Sequence, residues 1–118
     1  MGKYIIRCTA TGYKFDLIAA NGEVVATSEV YRSVASCVKG AQGVARIAQT
    51  APVGLPAKTM PANPRYEIFV DKAGNYRFRL RSRNGKVIAV SQAYTVQTAC
   101  ENGIESVRKN ANAPIVEE

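Results

Sequence analysis

Asn21-Gly22-Glu23-Val24-Val25-Ala26-Thr27-Ser28-Glu29-Val30-Tyr31 returns 63 positions later as Asn84-Gly85-Lys86-Val87-Ile88-Ala89-Val90-Ser91-Gln92-Ala93-Tyr94, with Asn, Gly, Val, Ala, Ser and Tyr identical at matching places. Upstream, Tyr13, Phe15 and Leu17 match Tyr76, Phe78 and Leu80. Downstream, Cys37, Gly40, Val44 and Ala48 match Cys100, Gly103, Val107 and Ala111. Before the first turn the offset is 62, pairing Tyr4 and Ile6 with Tyr66 and Ile68. One residue has been gained or lost in a turn, where a change of length costs least. Self-similarity of this kind marks one supersecondary unit used twice.

Each unit reads as three strands followed by a helix. Asn21-Gly22 and Asn84-Gly85 suit a two-residue type I′ hairpin, whose central positions both need positive φ. The second and third strands are therefore expected to be an antiparallel pair in fixed register. After Tyr31 and Tyr94 the apolar period changes from two to a helical one: Cys100, Gly103, Ile104, Val107 and Ala111 fall on one face. Ser33 and Thr95 are the expected N-caps. Gly40 and Gly103 lie on the apolar helix face at a cost of about 1 kcal/mol each relative to Ala, and a close approach of helix to sheet would offset that cost.

Residues 3–48 form the first repeat, residues 49–64 a linker holding four of the five prolines, and residues 65–118 the second repeat. A short strand near Val53 is expected within the linker. A unit of about 50 residues buries too little surface to stand comfortably alone, so the repeats are expected to share one core in a single domain.

Composition removes several function classes. Among the 118 residues there is no His, hence no imidazole base, no Ser-His or Cys-His pair and no histidine metal ligand. No enzymatic constellation or cofactor motif is expected. Cys8, Cys37 and Cys100 form no CxxC pair, and their odd number suits a reducing, cytoplasmic compartment. No stretch approaches the ~20 apolar residues of a membrane-spanning helix. Cys37 and Cys100 read as small buried thiols on the helix face. Gly40-Ala41-Gln42-Gly43 has the letters of a nucleotide-clamping GxxG loop but falls inside the expected helix.

The pattern Asn84-Gly85-x-x-Ile88-Ala89-x-Ser91-x-x-Tyr94, then Gly103-Ile104-x-x-Val107-x-x-x-Ala111, after Gly74-x-Tyr76-Arg77-Phe78-Arg79-Leu80, resembles the YegP-like family of small bacterial proteins of unknown function. The resemblance implies an α+β fold of two pseudo-symmetric β-β-β-α-β repeats in one antiparallel sheet, helices on one face, with C-terminal strands exchanged between repeats. Ala51-Pro52-Val53 and Ala113-Pro114-Ile115-Val116 would be those strands. The family supplies no activity and no catalytic residue.

The formal charge is +7, from 16 Lys+Arg against 9 Asp+Glu. Part of it gathers in Tyr76-Arg77-Phe78-Arg79-Leu80-Arg81-Ser82-Arg83. With a side-chain period of two, the aromatic and aliphatic residues face the helix and the arginines face away. Continuing the two-residue turn would set Arg83 opposite Lys86, Arg81 opposite Ile88 and Arg79 opposite Val90, with Glu67 the one acid on that face. The candidate site is therefore Arg77, Arg79, Arg81, Arg83 and Lys86, while the matching face of the first repeat is expected to carry Arg7, Lys14, Asp16, Glu23 and Glu29, which sum to −1. Three readings stand: a solvated face, an interface for an acidic protein or for the acidic half of a second copy, and a salt-sensitive contact with nucleic-acid phosphates. The leading function is a non-enzymatic interaction or binding module of unknown ligand, with a weak nucleic-acid binder as the alternative.

Overall fold

The computed structural model describes residues 2–118. The first repeat contains β1 (Lys3–Cys8), β2 (Tyr13–Ile18), β3 (Val24–Thr27) and α1 (Val34–Ile47), followed by β4 (Val53–Gly54). The second contains β5 (Arg65–Val70), β6 (Tyr76–Arg81), β7 (Val87–Val90) and α2 (Gln97–Asn110), followed by β8 (Ile115–Glu117). All eight strands join one sheet in the order β4-β5-β6-β7-β3-β2-β1-β8. The halves meet where Thr27 faces Val90.

The six central strands are antiparallel, and the two outer ones are exchanged. β4 lies parallel to β5, with Val53 beside Tyr66, and β8 lies parallel to β1, with Ile115 beside Tyr4. The sheet is thus mixed rather than wholly antiparallel. Each outer strand reaches its edge after a helix that traverses the sheet, and arrives running in the direction of the strand it joins.

The inward-facing residues follow the period-two pattern. Tyr4, Ile6, Phe15 and Leu17 are buried in one half, and Tyr66, Ile68, Phe78 and Leu80 in the other. Helix α1 lies over β1, β2 and β7, and α2 over β6, β3 and β2, so each helix packs on strands of both repeats. The tyrosines of the first strands do more than fill space. The Tyr4 hydroxyl donates to the carbonyl of Ala111 at 2.8 Å, and that of Tyr66 to Ala48 at 3.0 Å. Ala48 and Ala111 close α1 and α2, where carbonyls lack a partner within the helix.

Two local expectations are corrected. In the hairpins only Gly22 and Gly85 have positive φ, 87° each, and the asparagines do not. The Gly85 N–H donates to Ser82 O and the Ser82 N–H to Lys86 O, which is a four-residue turn whose last residue is a left-handed glycine. Asn-Gly suits that turn as well as type I′. A bulge accompanies it: Leu80 faces Ala89 but Arg81 faces Val87, and the extra residue, Ile88, turns inward and is buried. Secondly, α2 starts from Val96, not Thr95, with no side-chain cap. Val96 is the repeat equivalent of Ser33, which does cap α1 by accepting from the Ser36 N–H. The buried face of the helix sets its phase, and Thr95 falls one residue early.

The helix glycines have separate explanations. A Cβ at Gly103 would lie 2.5 Å from the Tyr94 hydroxyl, and one at Gly40 would collide with that of Tyr31, whereas one at Gly43 would meet nothing closer than 3.7 Å. Gly103→Ala is therefore expected to lower stability to urea by about 1 kcal/mol or more, through overpacking. Gly43→Ala should raise it by about 0.5–1 kcal/mol, through helix propensity. Equal effects at both positions would contradict the close tyrosine–helix approach.

Candidate functional site

The sheet face opposite the helices carries the arginines of β6, and the structure divides the sequence-derived set in two. Arg77, Arg79 and Arg81 share the open face with Arg65 and Glu67 of β5, because β5 and β6 pair with Glu67 opposite Arg79 and Arg65 opposite Arg81. Arg83 and Lys86 lie beyond the bulge. Lys86 Nζ sits 5.3 Å from the centre of the Tyr31 ring and 3.6 Å from Glu29, and both Arg83 and Lys86 line a cavity beside α1. The five are therefore not one stripe, since one extra residue in β7 redirects the side chains on its far side.

The arginines of the open face are also not bare. Glu67 is 5% exposed. It accepts from Arg79 Nε at 2.5 Å, from Arg81 Nε at 2.8 Å and from Arg65 Nε at 2.9 Å. Burial alone would push its carboxyl up, but hydrogen bonds from Arg79, Arg65 and Arg81 outweigh that and hold it at about 2. The guanidiniums find further partners. Arg65 donates to Pro61 O, Arg81 to Gly85 O and Arg77 to Ser91 O, while Arg79 stacks on Phe69 with Cζ 4.4 Å from the ring centre. The result is a fixed lattice of three guanidiniums about one carboxylate, with Arg77 beside it on the carbonyl of Ser91. Arg65 lies outside the sequence-derived set, although the alternation that puts Glu67 on this face, carried back two residues, brings it in.

On the same face of the first repeat the central carboxylate is Asp16 of β2, the repeat counterpart of Arg79, and it is 7% exposed. It accepts from Arg7 Nε at 2.8 Å and from the Thr27 hydroxyl at 2.7 Å. Lys14 lies 3.8 Å from Asp16, and Glu118 reaches Arg7 at 2.8 Å. Glu23 and Glu29 do not belong to this face: Glu29 meets Lys86, and Glu23 adds, after burial and Cys100, to the upward push on the Tyr94 hydroxyl. The expected acidic half, and with it the charge argument for pairing two copies head to tail, is therefore absent.

Burial pushes the Cys37 and Cys100 thiols up to about 11, far from a reactive thiolate at neutral pH. Cys8 is exposed. Among the described residues, no group of three or more His, Cys, Asp or Glu is placed to hold a metal ion, and no helix is long and apolar enough to cross a membrane.

Known proteins share this architecture. Residues 9–54 and 71–117 match the family described as a domain of unknown function, DUF1508, once in each repeat. The UPF0339 protein YegP of Yersinia pestis is 33% identical over 119 residues, covering 100% of this chain and 96% of that protein. A UPF0339 protein of Methanosarcina acetivorans is 53% identical over 53 residues, which is 44% of this chain but 91% of that shorter protein. The solution structure of yegP from E. coli, a protein of unknown function, superposes with a TM-score of 0.83 at 28% identity, covering 99% of this chain and 92% of that one.

The Glu67 lattice has a pH signature. Glu67→Gln is expected to cost about 2 kcal/mol at pH 7 by leaving three guanidiniums without their shared carboxylate. A carboxyl held low stabilises the fold above its unfolded pKa and ceases to do so as it protonates. Measured by urea unfolding, the gap between the two proteins should therefore close as pH falls from 4.5 towards about 2. A gap that stays constant over that range would contradict the ionised lattice.

Proposed function

This chain belongs to the DUF1508 family, and we propose that it works as a non-enzymatic interaction module that docks an acidic protein surface on the open sheet face of its second repeat. The observation that carries this reading is the lattice of Arg65, Arg79 and Arg81 about Glu67, with Arg77 beside it on the carbonyl of Ser91. It leaves a net positive, half-exposed surface whose side chains are already ordered, so binding costs little further side-chain entropy. A wide, flat sheet suits a macromolecular partner better than a small molecule.

The lack of histidine and the raised thiols of Cys37 and Cys100 favour binding over catalysis. An unpaired, exposed Cys8 suits a reducing cytoplasm, which belongs to the same proposal. The nucleic-acid alternative has less support. Base stacking needs free aromatic faces, and Phe69 is already covered by Arg79, while Phe78 is buried beneath the sheet.

Arg77 is the residue to vary, because it holds Ser91 O rather than Glu67 and its loss leaves the lattice intact. A polyglutamate peptide titrated at low salt should shift the amide resonances of Arg77, Phe69 and Val90, more weakly at high salt and hardly at all in Arg77→Glu. Tighter binding of an oligothymidylate to the same face would favour the nucleic-acid reading instead. Absence of binding by either probe would overturn the docking surface.

A further inference from the structure

The cations that left the stripe meet others. Between α1 of the first repeat and the β6–β7 hairpin of the second is a cavity of about 750 Å³, into which Lys39, Arg46, Arg83 and Lys86 converge and which no carboxylate lines. Among the described residues, the side chains of Lys39, Arg46 and Arg83 have no salt bridge and no hydrogen bond, in contrast to the arginines of the sheet face. Only Lys86 has an acidic neighbour, Glu29 at 3.6 Å. Like charges gathered around a concavity focus its field and attract anions.

The repeat supplies an internal comparison. At an offset of 63, Lys39, Gly43, Arg46, Arg83 and Lys86 correspond to Asn102, Ser106, Lys109, Ala20 and Glu23. Four cations in the cleft thus stand against one cation and one acid at the matching positions of the other half, on the same scaffold, so the fold itself does not require them. Gly43 points the same way. A Cβ there would meet nothing closer than 3.7 Å, so no packing contact offsets the cost of about 1 kcal/mol for a helix glycine. The missing side chain enlarges the cavity.

From this we infer that the cleft between α1 and the β6–β7 hairpin binds a small organic phosphate carrying about three negative charges, such as a nucleoside diphosphate. Lys39, Arg46, Arg83 and Lys86 would take the phosphates, as charge-assisted contacts. Tyr31, Ile47 and Ile88, the apolar part of the lining, would take the organic body. The volume falls within the range of small-molecule sites, about 300–1,000 Å³. This site is separate from the sheet face, and its ligand is independent of any protein docked there.

The test is an amide-resonance titration of the ¹⁵N-labelled chain with ADP and, separately, with pyrophosphate. ADP should produce saturable shifts at Gly40, Gly43 and Arg83, with the matching residues of α2, Gly103 and Ser106, unmoved. Lys39→Ala with Arg83→Ala, two exposed changes whose fold the same spectrum checks, should weaken ADP by about tenfold or more. Lys109→Ala and Arg77→Ala should leave it unchanged. Shifts of equal size at Gly43 and Ser106, no saturation at millimolar ADP, or affinity indifferent to the double substitution would overturn the site. Pyrophosphate binding as tightly as ADP would overturn the organic ligand.

Discussion

The carbonyl oxygens of Ala48 and Ala111, where α1 and α2 end, receive the hydroxyls of Tyr66 and Tyr4, each from the opposite repeat. A few residues further on, the Tyr66 N–H donates to Pro52 O and the Tyr4 N–H to Pro114 O, both at 2.8 Å, which starts the exchanged strands β4 and β8. Much else depends on this reciprocal grip. Without it, β1 and β5 would each be a six-residue edge with its backbone groups unpaired. With it, the sheet ends in strands of two and three residues, too short to offer much of a template to another chain. Because each helix also lies on strands of both repeats, neither half has a core of its own, and a half-sized unit would be marginal in any case.

A scaffold held together this way leaves its surfaces free to diverge. Many buried positions have kept their residues across the repeat, Phe15 with Phe78, Leu17 with Leu80, Cys37 with Cys100. The charged positions of the surface have not. Where the first repeat centres one carboxylate, Asp16, among Arg7, Lys14 and Thr27, the second centres Glu67 among three arginines. The residues that line the cleft beside α1 and their counterparts in the other half differ more sharply still. Internal symmetry thereby separates what the fold needs from what lies outside the fold's needs, and the cations fall in the second group.

Most of the fold was legible because its determinants are local or periodic. The repeat, the alternation in Tyr76-Arg77-Phe78-Arg79-Leu80-Arg81 and the helical spacing from Cys100 to Ala111 are each set by neighbours a few residues apart. The site was legible only in part. Asn-Gly fits two turn types, and the one adopted carries a bulge that puts Ile88 inward and takes Arg83 and Lys86 off the arginine face. Since the side-chain period is two, a single extra residue reverses every later assignment. The Glu67 lattice needed the start of β5 to be placed to within one residue, and the cleft joins Lys39 to Arg83 across a distance in sequence that no local pattern spans. The strand exchange was implied by family resemblance alone, for nothing in Ala113-Pro114-Ile115-Val116 says which repeat it joins.

The most direct test of that exchange is hydrogen exchange on the chain with residues 112–118 removed. These residues belong to the second repeat by sequence, but they pair with β1 of the first. The Tyr4 amide, which donates to Pro114 O, should lose its protection, while the Tyr66 amide, which donates to Pro52 O, keeps it. Loss of protection at Tyr66 with Tyr4 undisturbed would mean that each repeat completes its own sheet, and would contradict the exchanged architecture.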